Sequence, residues 1–252
     1  MMETNISPDN QAKETNPETW ADLAIYVFGG FGLFVLASIG VGSLVQNMES
    51  NLILLILAIL LNVILIGGSV IFLGIFRHKT NWKEIGLFPI KLKWWWLLVA
   101  LLLVIVLLFV RSLIGLAVQW LIEGNFDSVQ ARADLFTSNM TLSWPVFLIS
   151  LLGTGILGPI SEELYFRGLI HRFLIPRMDF IWRVLVSSLF FGLGHIDSAG
   201  VAVSSFIMGI VLAVVYELSE SLWIPITMHI LTNSFAVIAL FATLLLGNYF
   251  QY

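Results

Sequence analysis

Long apolar runs separated by short polar joints set the pattern of this chain. Seven runs stand out: Trp20–Val45, Leu52–Phe76, Trp94–Ile122, Trp144–Ile170, Trp182–Ile196, Ala199–Tyr216 and Leu222–Leu246. A helix rises ~1.5 Å per residue, so ~20 apolar residues cross the ~30 Å of a bilayer's hydrocarbon core. All but Trp182–Ile196 come near or pass that length. The pattern predicts an all-α, polytopic membrane helical bundle of about seven (six to eight) transmembrane helices. Residues Met1–Thr19 are polar, acidic and interrupted by Pro8 and Pro17, with neither the basic start nor the apolar core of a secretory signal. They are expected to form a disordered tail. Residues 20–252 show no internal repeat and no linker, and read as a single membrane domain.

Composition agrees with the pattern. Of 252 residues, 59% are hydrophobic and 11% charged, against roughly 25% charged in soluble domains. Trp20, Trp94, Trp95, Trp96, Trp120, Trp144, Trp182 and Trp223 fall at or near span ends, where indoles prefer the headgroup level. Arg77, Lys79, Lys83, Lys91 and Lys93 share one joint; Arg167, Arg172, Arg177 and Arg183 gather two spans later, hence on the same side. The positive-inside rule makes that side cytoplasmic, with the N-terminus inside and Glu49, Glu123, Asp127 and Asp134 outside. The expected localisation is an integral, multi-pass membrane protein, in the plasma membrane if the source is prokaryotic. A net charge of -4 offers no footprint for nucleic acid. The absence of cysteine removes thiolate metal sites and thiol nucleophiles.

Ionisable groups within the spans are the informative ones, because each costs roughly 2.5–3.5 kcal/mol at a helix centre on insertion scales. Arg111, Glu162, Glu163, Arg167, His195 and His229 qualify, with Asn233 as a neutral polar companion. Arg111 reads as structural or snorkelling, and His78 and His171 as solvated groups beside loops. Glu162 and Glu163 point about 100° apart on a helix. Glu163 and Arg167 stand at i,i+4 with the acid first, the favourable order for an ion pair, whereas Glu162 has no local cation. Pro159 should kink or restart the helix, with Ser161 as its cap. The alternative is that both glutamates neutralise Arg167 and pin a helix. Phe191 precedes His195 by one turn, and His229 precedes Asn233 by one turn. Taken singly, His195 suits a packing role and the His229 and Asn233 pair suits interhelical hydrogen bonding. Depth links them: Glu162 lies about 15 Å in from Arg172, His195 about 18 Å from Arg183 and His229 about 13 Å from Glu220.

The ordered set Glu162-Glu163-x-x-x-Arg167, Phe191-x-x-x-His195 and His229-x-x-x-Asn233 resembles the three signatures of the CPBP family of intramembrane proteases. That family includes type II CAAX prenyl endopeptidases, bacteriocin-processing and immunity proteins, and Abi proteins. The resemblance covers about residues 144–246, the catalytic core it implies. It implies an intramembrane endopeptidase with a polar cavity opening toward the cytoplasmic leaflet. The implied roles are Glu162 as general base, His195 orienting the water, His229 and Asn233 stabilising the oxyanion, and Glu163 with Arg167 fixing the motif helix beside Phe191. The substrate would be a peptide or membrane-protein segment, with prenylated proteins and leader peptides as candidates. No cofactor is favoured; the alternative is a metalloendopeptidase holding zinc on Glu162, His195 and His229, although no His-Glu-x-x-His helix is present. Two other readings use the same residues: an ion-coupled transporter, for which Gly158-Pro159 would need a counterpart in a second repeat, and a non-catalytic immunity or binding scaffold.

Overall fold

The computed structural model describes residues 16–45, 51–88, 93–130, 144–196 and 198–249, and among these it contains helices and no strand. In chain order the membrane helices are α1 (Trp20–Val41), α2 (Leu52–Ile75), α3 (Trp95–Glu123), α4 (Trp144–Leu174), α5 (Phe180–Leu193), α6 (Ala199–Ser219) and α7 (Trp223–Leu246). Six are long and apolar enough to span, and α5 is the exception. Its 14 residues reach about 21 Å at ~1.5 Å each, short of the ~30 Å hydrocarbon core. The run expected over Trp182–Ile196 is thus a partial span.

Three apolar clusters pack the described residues, and two of them join most of the helices. Tyr26, Ile66, Tyr165, Leu169, Phe173 and Phe191 join α1, α2, α4 and α5. Val104, Leu107, Met208, Leu212, Ile224 and Met228 join α3, α6 and α7. Large side chains such as Leu102, Phe109, Leu121 and Ile181 face outward, as expected where the surrounding solvent is lipid. The turn from α5 to α6 is tied to α3: Gln119 Oε1 accepts from Ser198 Oγ at 2.7 Å and from the Gly200 N–H at 3.1 Å. Glu123 Oε1 accepts from the Ala199 N–H at 3.0 Å.

Both basic clusters meet at one end of the bundle, together with the start of α1. Arg77 and Lys79 reach Asp22 at 2.7 and 3.2 Å, Arg172 reaches Glu18 at 2.6 Å, and Arg183 pairs with Glu217. The Leu222 N–H donates to the Gly86 carbonyl at 3.0 Å. This network corrects two expectations. Most of the expected tail lies outside the described residues, but residues 16–19 are ordered: the Asn16 N–H bonds the His78 carbonyl, Pro17 O accepts from Lys79, and Thr19 caps α1 through Asp22. His171 is buried rather than solvated, with Nδ1 2.8 Å from Ser187 Oγ and Nε2 2.8 Å from Glu217 Oε1. The reason is that α4 continues past Ile170 to Leu174.

One contact explains how α1 is fixed against the helix that carries the glutamates. Tyr165 Oη donates to the Tyr26 carbonyl at 2.6 Å and accepts from the Phe31 N–H at 3.1 Å. An inserted hydroxyl spreads the ladder, and Val27–Gly32 is wound as a π turn there. Gly30 makes the insertion possible, since a Cβ on it would lie 2.7 Å from the Tyr165 ring. Tyr165→Phe leaves both buried backbone groups without that partner, so we expect a loss of about 1–3 kcal/mol. Thermal unfolding of the detergent-purified protein checks this, and an unchanged Tm would reject the bridge.

Candidate active site

The motif segment of α4 begins where Pro159 interrupts the ladder. Leu151–Leu157 is π-wound, α winding resumes over Gly158–Tyr165, and Phe166–His171 is π-wound again. The winding therefore changes just before the proline, with no break in the helix. Ser161 does not cap the new segment; its Oγ donates to the Leu157 carbonyl at 2.9 Å, because the backbone stays helical through the junction and leaves no exposed N–H to cap. A residue-159 N–H would have reached the carbonyl of Gly155 in α geometry or Thr154 in π geometry. Both carbonyls are taken by α7: Asn233 Nδ2 donates to Thr154 O and Ser234 Oγ to Gly155 O, each at 3.3 Å.

Glu163 is fully buried, and Arg167 Nη1 donates to its Oε1 at 3.0 Å, the i,i+4 pair read from the spacing. Arg167 Nη2 also donates to the Gly209 carbonyl of α6 at 3.1 Å. His229 Nδ1 lies 2.8 Å from the same Glu163 oxygen. A carboxylate facing an arginine only accepts, so Nδ1 carries the proton and Nε2 is left for chemistry. His229 Nε2 stands 3.8 Å from Glu162 Oε2. Glu162 Oε1 accepts from Asn62 Nδ2 of α2 at 3.0 Å, while its Oε2 is buried and without a hydrogen-bond partner.

Phe191 is the shared surface of the constellation. The Arg167 guanidinium lies 4.7 Å over its ring, and the His195 and His229 rings flank it at 5.2 and 5.6 Å between centroids. His195 sits in the turn beyond α5, where its Nδ1 is 2.9 Å from the Phe191 carbonyl. That carbonyl is an acceptor, so Nδ1 again carries the proton and Nε2 points elsewhere.

A cavity of about 280 Å³ is lined by Phe191, His195, His229 and Asn233, together with Arg111, Ser150, Thr154 and Ser204. Its wall follows α7 from His229 to Phe241, about 18 Å, away from the basic end. The resemblance implies an opening toward the basic end. Arg111, read from sequence as structural, lines this cavity while donating to Met208 Sδ. Asn62 is the partner that sequence reasoning passed over; its signal was a lone carboxamide inside the apolar run Leu60-Leu61-Asn62-Val63.

The structure thus brings Glu162, Glu163, Arg167, Phe191 and His229 into direct contact, sets His195 against the same Phe191, and places Asn233 with both histidines on the cavity wall. Among the described residues, no group of three His, Cys, Asp or Glu side chains is placed to hold a metal ion. His229 uses Nδ1 on Glu163 and His195 uses Nδ1 on the Phe191 carbonyl. Glu162, His195 and His229 do not converge as a zinc set among the described residues.

Comparison with known proteins falls on the same stretch. Residues 144–235 match the family model described as type II CAAX prenyl endopeptidase Rce1-like. Over 149 residues the chain is 28% identical to the protein named "Putative membrane peptidase YdiL" of Bacillus subtilis, covering 51% of this chain and 58% of that protein. Over 100 residues it is 35% identical to the membrane-embedded CAAX protease MroQ of Staphylococcus aureus, covering 37% of this chain and 39% of that protein. The similarity therefore spans less than two thirds of either relative. No solved structure matches. The three signatures and the family model coincide on α4 to α7, so the likeness of this multi-pass membrane protein to the Rce1-like CAAX endopeptidases rests on residues 144–235.

Proposed function

We propose that this chain is an intramembrane endopeptidase of the glutamate type. The observation that carries the reading is Glu162 Oε2, a buried acceptor without a hydrogen-bond partner beside His229 Nε2. A buried carboxylate oxygen without a donor is where a water can place its proton. In the proposed reaction that water attacks a peptide carbonyl, its proton passes to Glu162, and the carbonyl π pair moves to oxygen. Collapse breaks the C–N bond, and Glu162 returns the proton to the leaving nitrogen. His195 Nε2 orients the water. His229 donates from Nε2 while Nδ1 stays on Glu163, and Asn233 keeps one amide hydrogen for the oxyanion while the other holds Thr154 O.

The site lies within the membrane helices, so the substrate is a peptide or membrane-protein segment, and prenylated chains and leader peptides both belong to that class. The arginines and lysines of the basic end support a cytoplasmic position for it. The test is cleavage of a peptide library by detergent-purified protein, with product ends read by mass spectrometry. Glu162→Ala should leave almost no turnover; full turnover would sink the base assignment. Asn233→Ala should leave measurable activity, reduced ~10²–10³-fold as for other single oxyanion donors. Cleavage should also survive chelators, with no stoichiometric metal in the purified protein. Bound zinc at one per chain, with activity lost on chelation, would replace the glutamate-type mechanism by a metal-dependent one.

A further inference from the structure

Helix α2 lies outside the stretch matched by the family model, yet it supplies a hydrogen bond to the proposed base. Asn62 Nδ2 donates to Glu162 Oε1 at 3.0 Å, across 100 positions of sequence. The two helices are close at this level. One turn before Asn62, a Cβ on Gly153 of α4 would lie 2.1 Å from the Ile59 side chain, so only a glycine fits. Ile59, Asn62 and Ile66 share one face of α2 by their i, i+3, i+7 spacing. The winding changes at Asn62 itself, the first residue of the π turn Asn62–Gly67. Such turns redirect side chains and recur at functional sites.

Buried carboxamides are costly unless both ends are satisfied. Asn62 satisfies only its donor end: Oδ1 is buried without a hydrogen-bond partner, as is Glu162 Oε2. An asparagine serving only as interhelical glue would find a protein donor for Oδ1 as well. The terminal torsion of a glutamate is broad and two-fold, so one fixed donor on Oε1 decides which oxygen remains for chemistry. The charged neighbours of Glu162, namely Glu163 and Arg167 on α4 and His229 on α7, supply no hydrogen bond to Oε2.

We propose that Asn62 is the positioning residue of the Glu162 base: its amide holds Oε1, so that Oε2 is the atom that meets the water. The inference rests on the hydrolytic reading. In the attack, one water O–H bond breaks and its proton passes to Oε2 while the water oxygen bonds the carbonyl carbon. Asn62 touches neither the water's oxygen nor the substrate in this scheme and acts through Glu162.

The test uses full-length detergent-purified protein with Asn62→Ala and the nearly isosteric Asn62→Leu, so that one folded variant without the donor is in hand. Ile59→Ala is the control for packing at the same helix contact. On a peptide cleaved by the wild type, both Asn62 variants should lose kcat by ~10- to 100-fold, part of the 10²–10⁴ that a positioned base contributes, with KM within about twofold. Ile59→Ala should lower Tm and keep kcat. Independently of turnover, the infrared carboxylate stretch that disappears in Glu162→Gln should move in the Asn62 variants, because the hydrogen bond on Oε1 is gone. An unmoved band overturns the inference, and so does a moved band with kcat retained. If the wild type cleaves nothing, the hydrolytic reading fails on that result, and the band alone decides whether Asn62 holds Glu162.

Discussion

The structure around the motif depends on one buried negative charge. Glu163 has no exposed surface, and a carboxylate in such a place is stable only when charged or hydrogen-bonding partners surround it. Its partners come from two helices: Arg167 from α4 and His229 from α7. Arg167 extends the link to the Gly209 carbonyl of α6, and its guanidinium lies over Phe191 of α5. A single carboxylate therefore sets how four helices meet. It also selects the tautomer of His229, and through it the nitrogen that faces Glu162. The division of labour between two adjacent glutamates follows from the helix turn of ~100° between them: Glu163 faces Arg167 and His229 inside the bundle, Glu162 faces Asn62 of α2, and each keeps one buried oxygen without a hydrogen-bond partner.

Much of this was legible in the chain because lipid is a demanding solvent. Apolar runs between tryptophans and arginines mark the spans, and any ionisable residue left inside must have a reason. The Glu163–Arg167 pair follows from i,i+4 spacing alone, and the meeting of Glu162 with His229 follows from counting depth. Other contacts were not legible for definite reasons. Asn62 meets Glu162 across 100 residues, and an uncharged carboxamide in an apolar run gives no sign of its partner. The third member of the Glu163 cluster was hidden because His229 could as well have faced the cavity with both nitrogens. Ser161 was misread because Pro159 is accommodated by a π turn instead of a free helix end, so no N–H is exposed for a cap. His171 was misread because the apolar pattern of α4 fades four residues before the helix does.

The prolyl interruption and the site are mechanically connected. The carbonyls released by Pro159 are those that Asn233 and Ser234 occupy. The amide of Asn233 thus serves α4 with one hydrogen and faces the cavity with the other. Movement of α7 along α4 would be felt at once in the backbone before Glu162 and in the His229 contact to Glu163, since both are anchored within one turn of each other on α7.

The shortness of α5 bears on the bilayer as well as on the protein. A helix of 14 residues leaves a hydrophobic mismatch of about 9 Å against a ~30 Å hydrocarbon core. Backbone that is not helical at such a depth must be shielded by protein or wetted by a cavity; the turn carrying His195 has Gln119 and Glu123 on one side and the cavity on the other. A helix shorter than the hydrocarbon core is accommodated by local thinning of the bilayer, by its flanking residues or by association. The membrane around this helix is then a component of the site's solvent, and acyl-chain length becomes a variable that acts on how readily water reaches His195.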